Sequence, residues 1–332
     1  MAGKKASSQN RSSKGKSTKK SSQSVVKKSD VKKAVKTYKG LSKPMKILVA
    51  ILAILIIIGS AGAYYYFFVL KKDDEIKGEI SIHFLELGNK YTGDCIYIKA
   101  GENDILIDGG SRTSSEETIK NYVDNYVSDG ILEYAIITHA DQDHIASWAG
   151  DKSHNSLFDD YEVKTIIDFA RSDKTSDVYK NYCEKRDAEV ENGAVHYTAL
   201  ECYNNENGAQ SVYQLADGIT LQILYNYYYE NKSSSENNYS VCFMINHGNN
   251  HYLFTGDLEK EGEKKLIEYN SLPQVTLFKA GHHGSGTSTT EELLSVIKPT
   301  FIAITTVAGS TEYSHNLNNT FPYQETIDRI AK

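Results

Sequence analysis

EYAIITHADQDH, at residues 133–144, is the stretch that says most about the fold and chemistry of this chain. Its first half is apolar and typical of a buried strand. Its second half places two histidines and two aspartates within six residues. Loops at strand ends often carry functional residues, and imidazole and carboxylate are ligands of hydrolytic zinc, manganese and iron sites. The stretch therefore predicts a metal site at a strand end.

The spacing within this motif favours two groups of ligands. His139 and Asp141 are two residues apart and can point the same way, whereas the adjacent Asp143 and His144 can serve a second ion. The simpler alternative is a polar loop in which Asp143 caps the following helix. A cap explains one acid and leaves the other three side chains unexplained, so a metal site is the better interpretation.

Three further apolar runs, at 105–107, 251–254 and 275–279, also end in residues of ligand type. The residues that follow them are Asp108, Asp257, His282 and His283. Each signal alone is modest, because Gly-Asp is ordinary turn chemistry. Four such strand ends in one chain are far more specific and indicate one shared site.

In this order the motifs resemble the metallo-β-lactamase superfamily. The variant H-x-D-x-D-H, followed by GHHGS at 281–285, is similar to the metallo-β-lactamase domain of ComEC-type DNA-uptake proteins. The likeness covers about residues 80–330. It implies an α/β fold of four layers, an αββα sandwich, with the site between its two sheets. It also implies a hydrolase that uses two divalent ions, zinc or manganese.

The resemblance also implies roles for individual residues. The implied metal ligands are His139, Asp141, Asp143, His144, Asp257 and one of His282 and His283. His139 and Asp141 would hold the first ion, Asp143 and His144 the second, and Asp257 would bridge the two. Asp143 would also orient the attacking water. Spacing leaves the choice between the two adjacent histidines open, and the other is expected to bind substrate.

The first site departs from the superfamily pattern. The usual second histidine is Asp141 here, which gives an oxygen-richer site that favours manganese or weakens zinc binding. The usual third histidine is not evident in the matching stretch, Asn237-Asn238-Tyr239-Ser240. One ion is therefore expected to be loosely held.

A further histidine, His315, follows Tyr313-Ser314 and precedes the last helix-like run. Relatives of this type carry a similar histidine. His315 is predicted to donate a proton to the leaving group or to hold a phosphate, and a surface loop residue is the alternative. Tyr313, Ser285 and Asp108 are predicted to bind substrate beside it.

The N-terminal part predicts a membrane anchor. Residues 1–46 hold fifteen Lys/Arg and one acid, a net charge of +14, and are expected to form a disordered cytoplasmic tail. Residues 47–70 are 24 uncharged residues, long enough to span a bilayer; a cleaved signal peptide is the alternative. Residues 71–79 would be a linker. The hydrolase domain, 80–332, would then lie outside the cell on a single-pass membrane protein.

Charge limits the choice of substrate. The whole chain is −6 and its first 46 residues are +14, so residues 47–332 carry −20. Polynucleotide binding usually relies on Lys/Arg, for which Arg112, Lys279 and Lys298 are candidates. The leading prediction is hydrolysis of a phosphodiester, in nucleic acid such as DNA or in another extracellular phosphoester. The alternatives are a cell-envelope phosphorylcholine esterase, another ester or lactam hydrolase, and a non-catalytic binding module with a degenerate metal site.

The rest of the chain supports a layered fold. Early strand-like runs follow one another like hairpins and later ones alternate with helices, which favours sheets covered by helices. Two of the later predicted strands are 219–228 and 239–246, and the tyrosines at 225–229 would then form an aromatic strand face. Cys183 and Cys202 are the better disulfide candidates, and the other two cysteines are expected to be core residues.

Overall fold

The computed structural model describes residues 36–52, 78–309 and 320–332. The chain divides into two units, Met1–Lys72 and Asp73–Lys332. In the first unit, residues 36–40 and 43–52 are helical. None of the helices in the described ranges is long and apolar enough to cross a bilayer. Most of the predicted tail, anchor and linker, at 1–35 and 53–77, lies outside the described residues.

The second unit contains a first sheet of six strands that follow one another in chain order. These strands are β1 Ile80–Phe84, β2 Ile96–Ala100, β3 Asn103–Ile107, β4 Ile131–Ile136, β5 Glu162–Asp168 and β6 Val195–Thr198. The first three are antiparallel, and β3 to β6 are parallel. Parallel strands are buried on both faces, which explains why β3 and β4 are continuous apolar runs.

The second sheet also has six strands, in the order β12-β11-β10-β9-β8-β7. They are β7 Val212–Ala216, β8 Ile219–Ile223, β9 Phe243–His247, β10 Asn250–Phe254, β11 Leu277–Lys279 and β12 Phe301–Ala303. Strands β7 to β10 are antiparallel, and β10 to β12 are parallel. Both sheets therefore have an antiparallel half and a parallel half.

One or two helices follow each of the parallel strands β3 to β6 and β10 to β12. They are α1 Ser115–Val123, α2 Gln142–Ala149, α3 Leu157–Asp160, α4 Asp177–Glu191, α5 Ala199–Asn204, α6 Lys260–Tyr269, α7 Glu291–Ile297 and α8 Gln324–Ile330. One continuous core contains side chains from both sheets, including Ile98, Ile166 and Ile245. A smaller cluster joins Phe278 of β11 to the helices α6 and α7. The predicted mixed α/β fold with two sheets is confirmed.

Strand pairing brings the predicted strand ends together. Ile107 at the end of β3 pairs with Ile136 near the end of β4. Asp108 and Thr138, which follow these strands, are consequently neighbours, and the Thr138 backbone N–H donates to Asp108 Oδ1 at 2.8 Å. The parallel pairing of β10 with β11 has the same effect on the second sheet.

A glycine allows the loop after β3 to lie directly against helix α2. A Cβ at Gly109 would lie 2.7 Å from Cδ1 of the buried Trp148. The Gly109 backbone N–H donates to the His144 carbonyl at 2.6 Å. Glycine at this position therefore fixes where the first turn of α2 starts relative to the sheet.

Some sequence-based predictions of local structure are wrong. The predicted strand 219–228 ends at Ile223, and Tyr227–Tyr229 forms a 3₁₀ helix rather than a strand face. Strands β6 and β7 were not predicted. The proposed disulfide is absent, since all four cysteines are free, and Cys202 is buried with its Sγ 3.3 Å from the Tyr213 hydroxyl.

Candidate metal centre

His144 lies in the first turn of α2 and is oriented by Asp108. Its Nδ1 is 2.8 Å from Asp108 Oδ2, and that carboxylate also accepts hydrogen bonds from the backbone N–H and hydroxyl of Thr138. An ionised carboxylate only accepts, so Nδ1 of His144 carries the hydrogen. In the neutral imidazole, Nε2 then presents a lone pair, as in the carboxylate–histidine pairs of metal sites.

His283 is oriented in the same way from the other sheet. It lies in the 3₁₀ turn Gly281–Gly284, where His282 and His283 adopt left-handed φ values of 48° and 53°. Its Nδ1 donates to the Thr305 carbonyl at 2.9 Å, so its Nε2 also presents a lone pair. This Nε2 is 3.3 Å from Asp143 Oδ2 and 3.2 Å from Asp257 Oδ2.

Asp257 lies between the two imidazoles. It follows β10 through Gly256, whose φ is +53°. Asp257 Oδ2 is 3.2 Å from Nε2 of both His144 and His283, and 3.9 Å from Nε2 of His282. The carboxylate thus contacts one histidine from each sheet.

Four residues therefore form one cluster. Ligand atoms of Asp143, His144, Asp257 and His283 all lie within 4.8 Å of one another. The Nε2 atoms of His144 and His283 are buried without a hydrogen-bond partner. Lone pairs that face carboxylate oxygens in a buried site repel each other unless a cation or protons lie between them. Two imidazoles and two carboxylates suit a divalent ion such as zinc or manganese, so these residues fit a metal.

The pKa shifts in the cluster show its excess negative charge. Burial alone would lower the pKa of His144, but the carboxylates of Asp257 and Asp108 outweigh it and raise that pKa well above its ordinary value. Burial likewise opposes protonation of His283, whose pKa is raised by Asp257 and Asp94. A bound cation would supply the positive charge that the protons otherwise provide.

The predicted first site is less complete. His139 is buried, and its Nε2, which has no hydrogen-bond partner, is 3.6 Å from Asp141 Oδ2. The other oxygen of Asp141 contacts the Lys174 ammonium. Burial opposes ionisation of Asp141, but His139 and Lys174 outweigh it and lower its pKa. Neither His139 nor Asp141 joins the four-residue cluster.

The remaining predicted site residues have different surroundings. His282 is partly exposed, with its Nδ1 3.1 Å from the Thr287 hydroxyl. Ser285 Oγ is also 3.1 Å from that hydroxyl. Asp108, which was predicted to bind substrate, is 1% exposed, and its carboxylate faces His144 and Thr138. Tyr313 and His315 lie outside the described residues.

Sequence reasoning missed Asp94 and misjudged Lys279. The Lys279 ammonium is 2.5 Å from Asp94 Oδ2 and 3.5 Å from Asp257 Oδ1, and the side chain is 1% exposed. A groove for nucleic acid cannot use this lysine. A signal for Asp94 exists: the triplet Thr-Gly-Asp occurs at 92–94 as well as at 255–257.

The cluster opens into a cleft of about 540 Å³. The lining residues are Arg112, Asp141, Gln142, Asp143, Asn237, Asp257 and His282. The Arg112 guanidinium stacks 3.6 Å from the centroid of the Tyr91 ring. A cationic side chain thus shares this cleft with the carboxylates of the candidate metal centre.

The described residues thus form two mixed sheets, and histidines and aspartates near the strand ends make a candidate divalent-metal site. Comparison with solved structures matches the chain to the metallo-β-lactamase fold protein YhfI of Bacillus subtilis, at 10% identity and a TM-score of 0.36, covering 61% of this chain and 72% of that one. The diiron β-hydroxylase CmlA of Streptomyces venezuelae matches at 12% identity and a TM-score of 0.36, covering 66% and 43%.

Among proteins of known name, the chain is similar to bacterial competence proteins. It is 26% identical over 205 residues to ComE operon protein 3 of Bacillus subtilis, covering 60% of this chain and 22% of that protein. It is 26% identical over 127 residues to competence protein ComA of Neisseria gonorrhoeae, covering 38% and 18%. The chain thus spans less than a quarter of either relative. No model of a protein family matches it. The resemblance predicted from the motifs is confirmed.

The adjacent histidines provide a matched test of the metal ligands. His283→Ala should lose bound metal because it removes the Nε2 that lies 3.2 Å from Asp257. His282→Ala should retain metal, because its Nε2 lies 3.9 Å away. Both positions have a left-handed φ, so the two alanine variants should have similar backbone strain. Elemental analysis after dialysis against manganese or zinc measures the difference, and loss of metal in His282→Ala alone would contradict the assignment.

Asp108→Asn should weaken metal affinity by roughly 10–100-fold, the usual effect of losing an outer-shell carboxylate. An amide can donate to His144 Nδ1 and so favour the tautomer with hydrogen on Nε2. The control is Asp104→Asn, which changes a buried carboxylate that pairs with Lys99 at 2.8 Å. Titration calorimetry compares the two variants with the unchanged protein. Equal affinities in Asp108→Asn and the unchanged protein would disprove the orienting role.

Proposed function

We propose that this chain is a metal-dependent hydrolase that cleaves phosphodiesters. One observation carries the proposal: the Nε2 atoms of His144 and His283 lack hydrogen-bond partners and converge with the carboxylates of Asp143 and Asp257 at an open cleft. These residues would hold a divalent ion, which would supply Lewis-acid activation of water and offset the negative charge of the attacked group.

The four proposed ligands differ in how exposed their side chains are, and this difference indicates separate roles. The His144 and His283 side chains are closed off from solvent, whereas Asp143 and Asp257 line the cleft, and Asp143 is the more exposed of these two at 14%. Asp143 is therefore the ligand that reaches the reacting groups, and it orients the attacking water toward the substrate. Asp108 and the Thr305 carbonyl hold the two imidazoles in place.

The cleft supports a phosphoester substrate. Arginine matches the planar, two-oxygen geometry of a phosphate, and Arg112 is positioned at the cleft by its contact with Tyr91. The imidazole of His282 and the amides of Gln142 and Asn237 are further hydrogen-bonding groups on the cleft wall. The resemblance of the motifs to those of ComEC-type DNA-uptake proteins favours a nucleic acid among phosphodiesters. With −20 on residues 47–332, a single strand or a strand end suits the cleft better than a long duplex.

Activity should depend on Asp143 and His144. Asp143→Ala and His144→Ala should each lower phosphodiester hydrolysis by a hundredfold or more, on the order expected for a group that acts on the transition state. The substrates are bis-nitrophenyl phosphate, single-stranded DNA, a phosphorylcholine ester and a β-lactam, with manganese or zinc added. His251→Ala, which changes a histidine of β10 bonded to Asn246, is the control.

Retained turnover in both variants, at equal metal content, would refute the proposed roles. If only the β-lactam or the phosphorylcholine ester were hydrolysed, the chain would be a hydrolase, but the proposal that it cleaves phosphodiesters would be wrong.

We also propose that residues 47–70 anchor the chain in the cell membrane, with the tail cytoplasmic and the hydrolase domain outside. The proposal rests on the sequence alone, on 24 uncharged residues preceded by a segment of net charge +14. Protease added to intact cells should remove the hydrolase domain and spare the tail, as followed by epitope tags at the two ends. Full protection of the domain would exclude this topology.

A further inference from the structure

We propose that the ammonium of Lys174 takes the place of the first metal ion, so that the centre works with one divalent ion and one lysine. This inference rests on the proposed function, because it requires an ion at the cluster of Asp143, His144, Asp257 and His283. The sequence had indicated two ions.

The two halves of the centre differ in their donors. The cluster of four offers two imidazoles and two carboxylates within 4.8 Å. Around the first position, the described residues provide His139 and Asp141, and the stretch expected to supply a third histidine contains Asn237 instead. Two protein ligands are fewer than the three or four that hold zinc in most sites.

Lys174 is bound to the carboxylate that the first ion would need. Its ammonium contacts Asp141 Oδ1, while Asp141 Oδ2 faces His139 Nε2 at 3.6 Å. The side chains are partly shielded from water, Asp141 at 24% and Lys174 at 35% exposure. A divalent ion on the same carboxylate would lie close to this ammonium, and like charges at such distances repel strongly.

The loop that carries Lys174 is fixed by its own contacts. The Lys174 backbone N–H donates to Ser172 Oγ at 3.0 Å. The Asp173 backbone N–H donates to Glu236 Oε2 at 3.3 Å, and the Tyr239 hydroxyl donates to Asp173 Oδ2 at 3.3 Å. The lysine is therefore held over Asp141 by the segment in which the third histidine is missing.

A further acidic residue, Glu236, interacts with both residues of the first metal position. Its Oε1 is buried without a hydrogen-bond partner, and its carboxyl interacts electrostatically with His139 and Asp141. Without Lys174, Asp141 would lose the ammonium that repels a divalent ion, and the first position would be electrostatically open to one. The lysine is thus the feature that keeps the first position from accepting an ion.

A fixed ammonium also has a catalytic consequence. The ammonium places one positive charge beside Asp141, which lines the cleft. A divalent ion at that position would place two positive charges there. Water activation then falls entirely to the cluster of four.

The test is the number of ions bound at saturation, measured by native mass spectrometry and elemental analysis of the full chain with manganese. We expect one ion in the unchanged protein and two in Lys174→Ala. Lys232→Ala removes a lysine that pairs with Asp173 at 3.5 Å and is 73% exposed, so this control should keep one ion. Lys174→Arg should also keep one, because it preserves the charge.

Each other result excludes part of the scheme. Two ions in the unchanged protein would overturn the inference and leave the proposed function standing. One ion in Lys174→Ala would show that the lysine does not exclude a metal, and would also overturn it. No ion in the unchanged protein would overturn both this inference and the proposed function. A manganese titration of activity that saturates at one equivalent provides an independent check.

Discussion

Compensation of buried negative charge is the constraint on which the centre depends. Asp94, Asp108, Asp143 and Asp257 all lie at the candidate metal centre, and three of the four are almost fully buried. Buried charges are costly unless each has a partner. Lys279 is the partner of Asp94, and the imidazole of His144 is the partner of Asp108. The carboxylates of Asp143 and Asp257 face the Nε2 atoms of two histidines. Because all of these atoms are electron-rich, the position suits a cation.

The fold supplies these partners by bringing two similar halves together. Each sheet has an antiparallel part and a parallel part, and each parallel part ends in a loop that carries a histidine of the cluster. His144 comes from the first sheet and His283 from the second, and Asp257 contacts both at 3.2 Å. The Thr-Gly-Asp triplet occurs once in each half, and Lys279 contacts the aspartates of both.

Much of this arrangement could be predicted from the sequence, because the signals are local. Apolar runs that end in His139, Asp108 and Asp257 predict both the parallel strands and the convergence of their ends. The choice between His282 and His283 could not be predicted, since it depends on left-handed backbone conformations that only the packed turn reveals. Lys174 was missed because it lies 33 residues after Asp141 in a loop without a motif, and its role depends on tertiary contact. The run at 225–229 misled because aromatic residues favour strands in general, whereas Asn226 caps a 3₁₀ turn here.

The contact of Lys279 with both aspartates has a consequence for how the protein would acquire its metal. An ammonium covalently attached to β11 cannot dissociate, so Asp94 and Asp257 keep a positive partner whether or not an ion is bound. Little rearrangement is then needed when an ion enters or leaves. Uptake would follow the supply of metal in the surroundings rather than a slow folding step, and the same polypeptide would exchange one divalent ion for another as their availability changed.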